Sequence, residues 1–401
     1  MQKSPGMQEI HGTAMHYPWG TTDAIPAILG IPADGRPFAE YWLGAHPLAP
    51  SQLDSGVRLD ALLASEPALL GRAADSFGPR LPFMMKLLSA RHALSLQAHP
   101  SRERAVEGYE REEAAGIPLD DPLRSYPDAS SKPEILVALS EFHLLVGFRN
   151  AQATADLFTA LGVFEDAESV IGPLVFRRGT VATEEVFLDV LTLDGDRLEI
   201  VNRLLVGAVE HADDPGAVGD FARLIIELDA HFPADPGIMA ACLMNHVVLA
   251  PGEAVFIPPG TMHADINGTG VEVLANSDNV IRGGLTTKHI AVEELVTVVD
   301  FGELTPDVLH GEEVAPGVWA YRPGCPEFAV WRIESTDARP ADLPAHGSVR
   351  IALVTRGEAV LDDGGAPMRL EHGQAVFLPA GSPPVRLSGD AQVFVSAPGV
   401  L

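Results

Sequence analysis

Cysteine is almost absent from this chain of 401 residues. The two present, Cys242 and Cys325, lie far apart, so neither a disulfide framework nor a cysteine-ligated metal site is supported. A reducing cytoplasm is the expected location. Long apolar runs are also lacking. The most apolar stretch, 238–250, is short and holds Asn245 and His246, so no membrane span is expected. The first twenty residues lack the apolar centre of a signal peptide, and none is expected. Basic residues are scarce: 27 Lys and Arg stand against 55 Asp and Glu, for a net charge of −28. That balance argues against a nucleic-acid partner, because a phosphate backbone demands a basic face. Most of the acids serve solubility, but wherever the few cations gather around a pocket, an anion is the expected occupant.

A hydrophobic fraction of 46% and a charged fraction of 20% describe an ordinary globular chain, long enough for two or three domains. The first hundred residues are rich in Gly and Pro around short apolar runs, the texture of strands and tight turns. Ser101–Ala115 reads as a polar helix capped by Ser101, and KPEILVAL and FHLLVGF read as strands. From about residue 150 the apolar period changes to i, i+3, i+4, i+7, predicting helices up to about residue 240. Strand texture then returns, broken by a short helix at VEELVTVV and a Pro-rich junction near 303–317.

An internal repeat links the two strand-rich regions. PGEAVFIPPGTMHADI (251–266) aligns without gaps on HGQAVFLPAGSPPVRL (372–387), matching at Gly252/Gly373, Ala254/Ala375, Val255/Val376, Phe256/Phe377, Pro258/Pro379 and Gly260/Gly381. Each copy reads as turn, strand, turn, strand. The expected fold is therefore mainly β, with two related β-barrels and a helical domain. The first barrel takes 1–150 and 241–310, the helical insertion 151–240, and a degenerate second barrel 311–401. His263 falls opposite Pro384, which carries no ligand atom, so chemistry is expected in the first barrel and scaffolding in the second.

Four residues of the first region suit a divalent cation. Gln97 and His99 are two apart, the spacing that puts both side chains on one strand face. Glu134 begins another strand, and His263 follows a Pro-Gly corner. Two imidazoles, a carboxylate and an amide oxygen suit zinc, with water to complete the shell. Each residue alone would read as an ordinary buried polar group; the set together carries the reading.

On these residues the chain resembles the type I phosphomannose isomerases, zinc enzymes of the cupin superfamily, which implies that the two expected barrels are cupin-like jelly rolls. The resemblance rests on PFAEYWLGAHPLAPS (37–51), LPFMMKLLSARHALSLQAHPSRERAVEGYERE (81–112), KPEILVALSEFHLLVGFR (132–149) and the block from 251 to 290 that contains ANSDN. It implies one zinc per chain on Gln97, His99, Glu134 and His263. It also implies a sugar-phosphate pocket lined by Ser95, Lys86, Lys132, Glu272, Asp278, Arg282 and Lys288, and interconversion of mannose 6-phosphate and fructose 6-phosphate through an enediolate. Arg282, aided by Lys132, is expected to stabilise that anion, while Glu272, His99 and metal-bound water stay open as the base. Many members of that family carry His before the Lys-Pro-Glu; here Ser131 takes the place, and serine does not titrate near neutrality. A monomer or weak homo-oligomer without membrane or nucleic-acid partners is expected. Two other readings stay open: a non-catalytic cupin that senses a sugar phosphate, and a cupin oxygenase with redox iron. Metal content together with turnover separates them.

Overall fold

The computed structural model describes residues 6–177 and 179–399. Its strands pair into two antiparallel sheets of eleven strands each. Among the described residues the pairings leave both sheets open, so the two closed barrels expected from the sequence are not what the ladders trace. The topological reason is a set of long strands that each serve several partners. His263–Ala275 pairs with four different strands, and Arg350–Asp362 also pairs with four. No described helix is long and apolar enough to cross a membrane.

One apolar layer joins the sheets. Phe83, Met85, Leu87, Val137, Val271 and Val273 from the first pack with Val330, Ile351, Phe377 and Phe394 from the second. The even spacing within Phe83–Leu87 and Val271–Val273 sends these side chains to one face. Lys86 and Glu272, between them, therefore point the other way, into the first sheet's cavity. The N-terminal strand Gln8–His11 pairs with Ala375–Leu378 and fastens the chain's start to the second sheet.

Both repeat copies form as expected: Ala254–Ile257 and Ala375–Leu378 are the matching strands. Gly252 and Gly373 open them at φ +89° and +85°, a conformation that side-chain-bearing residues avoid. At Gly373 a Cβ would also stand 2.4 Å from Leu29 Cα and 2.9 Å from the Ile28 carbonyl. Gly373→Ala is expected to cost about 2 kcal/mol or more in urea unfolding, since both the turn and its neighbour must shift. An unchanged unfolding midpoint would remove the strain argument.

The helical segment runs from Ala151–Ala160 through Gly237–Cys242, as the change in period predicts. Helix Arg102–Ala114 is capped by Ser101, whose hydroxyl accepts from Arg104 N–H. Helices at Ala24–Leu29, Leu59–Ser65 and Ala73–Phe77 break the all-strand expectation for the first hundred residues. They are too short for a helical period to stand out, and packing of Ile25, Leu59 and Leu63 fixes them.

Helices Ala151–Ala160 and Ala217–His231 line a cavity with the outer face of strands Phe142–Phe148 and Met244–Leu249. His246 sits there with Nε2 3.1 Å from His143 Nδ1. Burial, and then the charge of His143, lower its pKa from 6.5 to about 4. The folded state thus binds fewer protons than the unfolded chain between those values, and its stability falls as pH falls through that window. The expected loss is about 2 kcal/mol by pH 4, discounted for partial exposure. His246→Gln should flatten the stability profile over that range; an equally steep profile would assign it to other groups.

Candidate functional site

Strand register builds the site. His263 opens its strand directly opposite Gln97, and Arg282 faces Gln97 from the other side. Glu134 stands opposite Ile257 at the start of its strand. His99, one residue past the Leu96–Ala98 strand, completes the group. The ligand atoms of His99, Glu134 and His263 lie within 4.8 Å of one another, and all three residues are buried. Gln97 joins them, its amide nitrogen position 3.4 Å from His263 Nε2.

Backbone carbonyls orient both imidazoles. His99 Nδ1–H donates to Asn279 O at 2.7 Å, and His263 Nδ1–H to Thr261 O at 3.0 Å. In their neutral forms each therefore aims an Nε2 lone pair inward, and each Nε2 is 3.2 Å from Glu134 Oε2. Burial lowers the His99 pKa to about 4 against the pull of Glu134, so this imidazole is neutral near pH 7. Its Nε2 is buried without a hydrogen-bond partner. Burial acts against protonation of His263 as well, but Glu134 outweighs it and raises that pKa. Burial likewise opposes the Glu134 charge, yet His99, Lys132 and His263 hold its carboxyl well below the usual range. Lone pairs crowded on one carboxylate oxygen repel unless a cation lies between them. The donor set therefore fits a divalent metal, and its N, N, O and amide composition fits zinc.

The cluster opens on a cavity of about 710 Å³. Ser95, Lys86, Lys132, Glu272, Asp278, Arg282 and Lys288 all line it, so every substrate residue expected from the sequence reaches one space. Lys86 and Glu272 are cross-strand neighbours with 3.0 Å between Nζ and Oε2, and Glu40 is 3.3 Å from the same ammonium. Burial works against the Lys86 charge, but the Glu272 and Glu40 carboxylates outweigh it and raise the pKa. Burial raises the Glu272 pKa, with Lys86 opposing. Lys132 Nζ is 3.3 Å from Glu134 Oε1.

Arg282 and Lys288 differ from these. Neither has an ion pair to a carboxylate among the described residues. Burial lowers the Arg282 pKa, and the Arg282 charge lowers that of Lys288. Two cations that repel each other on the lining of one cavity, in a chain of −28 net charge, suit an anion.

Comparison with known proteins agrees with this geometry. Residues 7–151 match the family model for the phosphomannose isomerase type I catalytic domain, and 323–398 that for the mannose-6-phosphate isomerase cupin domain. The mannose-6-phosphate isomerase of Salmonella typhimurium is 32% identical over 96% of this chain and 98% of its own length. The Escherichia coli enzyme is 31% identical over the same shares. This chain belongs to the type I mannose-6-phosphate isomerase family. A crystal structure of the Salmonella typhimurium isomerase bound to fructose 6-phosphate and zinc superposes with a TM-score of 0.89 at 29% identity, covering 98% of this chain and 100% of that one.

Several residues in or beside this family member's cavity carry no signal that marks them individually in the sequence. His46 is buried 3.2 Å from Asp278 Oδ2; burial works against the Asp278 charge, but the His46 contact lowers its pKa. Trp42 takes the Lys86 ammonium 5.3 Å from its ring centre, and Phe232 enters the wall from the end of the helical segment. Asp265 could have been found by the period of two from His263. Burial, then Glu272, pushes its pKa up to about 8. The ANSDN block has a structural reason as well: Asn279 Nδ2 donates to the carbonyls of Asp128 and Ser130, and the Asp128 carboxylate accepts from Ser277 and Asp278. Ser131 donates to Glu327 at 3.3 Å and is not among the residues lining the cavity.

Proposed function

We propose that this chain is a zinc-dependent isomerase that interconverts mannose 6-phosphate and fructose 6-phosphate. The observation that carries it is the pairing, in one cavity, of a preset ligand cluster with the unpaired cations Arg282 and Lys288. In this reading His99, Glu134, His263 and Gln97 would hold the metal, which would supply Lewis acidity toward the substrate oxygens. Arg282 and Lys288 bind the phosphate, the first as a planar fork and the second as a point charge. Glu272, its pKa raised by burial, takes the carbon proton and returns it to the neighbouring carbon. The neighbouring Lys86 ammonium offsets the Glu272 charge before the first transfer and after the second, when the carboxylate is ionised. Lys132 stabilises the enediolate oxygen, and the charge of Arg282 adds to that stabilisation from the phosphate end. His99 is unsuited as a base because Asn279 fixes its Nδ1 proton and its one lone pair, on Nε2, would be taken by the metal.

The second repeat copy, with Pro384 in the place of His263, supports reading the C-terminal sheet as a related jelly roll kept as scaffold. The same pattern supports a division into a catalytic unit at 1–150 and 241–310, a helical insertion at 151–240 and the C-terminal unit at 311–401. A coupled assay that feeds mannose 6-phosphate and detects fructose 6-phosphate tests the function. Binding of the sugar phosphate without turnover would point to a sensor instead.

A further inference from the structure

Every buried acid around the cavity except one has a partner. Glu134 has His99, His263 and Lys132; Glu40 accepts from Trp42 Nε1 at 2.8 Å and from Lys86. Glu272 has Lys86, and Asp278 has His46. The exception is Asp265, only 7% exposed, whose carboxylate receives no hydrogen bond and forms no ion pair among the described residues. Its backbone is tied, since the carbonyl accepts from Leu94 N–H at 2.8 Å. The residue lies two positions along the strand from His263 and so faces the same cavity, which it lines. Buried polar groups are nearly always satisfied, and this carboxyl group, with no donor among the described residues, opens on the cavity instead. Room for a ligand lies in front of this one.

We propose that Asp265 is a substrate-binding residue whose carboxyl group hydrogen-bonds a hydroxyl of the sugar chain close to the reacting carbons. The position follows from spacing. One two-residue strand step, about 6.6 Å, separates it from His263 at the ligand cluster. A sugar held by its phosphate at Arg282 and Lys288, with its first two carbons at the cluster, brings the hydroxyls of its middle carbons alongside that face. Selection of a polyol chain over a shorter or deoxygenated phosphate follows, because an analogue without that hydroxyl leaves the carboxyl group unpaired. The inference rests on the isomerase reading above.

Titration calorimetry of the zinc-loaded protein separates the two claims. The probes are fructose 6-phosphate and inorganic phosphate; the proteins are wild type, Asp265→Asn and Asp265→Leu. Asp265→Leu should bind fructose 6-phosphate about 10- to 100-fold more weakly, the range of one hydrogen bond to a charged group. Asp265→Asn, which still offers a hydrogen-bonding group, should recover most of that loss. Inorganic phosphate should bind all three alike, zinc content should stay unchanged, and the unliganded Asp265→Leu protein should melt no lower than wild type. A purely structural role would lower its melting temperature, and that result overturns the proposal. Equal fructose 6-phosphate affinity in wild type and Asp265→Leu, or a parallel fall for inorganic phosphate, overturns it too. Failure of the wild type itself to bind fructose 6-phosphate overturns the isomerase reading along with it.

Discussion

Dialysis against a strong chelator is expected to abolish isomerase turnover, and one equivalent of zinc to restore it. The three groups of the cluster are poised for a cation before one arrives: two inward lone pairs stand 3.2 Å from the same carboxylate oxygen. Their orientation is fixed by main-chain carbonyls, so the side chains cannot turn away without losing a buried hydrogen bond. Removing the metal leaves these atoms to share a proton, which settles on the His263 side because its pKa is raised while that of His99 is lowered. That state no longer polarises a substrate oxygen, and turnover should drop at least about a hundredfold, as when a preorganised electrostatic group is removed. Stability should fall with it, by about 4 kcal/mol relative to protein held at a thousandfold zinc excess over Kd. Activity assays and thermal melts on dialysed and reloaded protein check both. Full turnover in protein shown metal-free by elemental analysis would end the zinc assignment.

Arg282→Ala should reduce kcat about a hundredfold or more while leaving the fold at least as stable. Stability is expected to hold because the guanidinium has no carboxylate partner and its burial is unfavourable, as the lowered pKa records. The loss should appear in KM through the phosphate contact and in kcat through the enediolate charge, which develops only towards the transition state. Arg282→Lys should recover part of it, limited by the loss of the planar two-toothed contact. Near wild-type turnover for Arg282→Ala would remove this residue from the chemistry and leave Lys132 to carry the charge.

The strands that carry Lys86, Glu134 and His263 were legible from short apolar runs between turn residues, and the helical segment from its period. The ligand types at Gln97, His99, Glu134 and His263 could be named because a strand alternates faces and a Pro-Gly corner fixes where a strand restarts. The short helices of the first hundred residues were not legible, since one or two turns leave no period and their stability comes from packing. Nor were His46, Trp42, Phe232 and the paired state of Asp278, whose partners lie far away in the chain.

Local chemistry and backbone preference, which any stretch of residues carries with it, determined the strands, the repeat, the scarcity of cations and the candidate ligands. Partnership was decided only in three dimensions. Lys86 meets Glu272 because their strands align in register, and Arg282 and Lys288 stay free of acids although the chain holds 55 of them. Pairing of charges and donors depends on register and burial across distant segments, and no local pattern encodes which of many carboxylates a given cation will face.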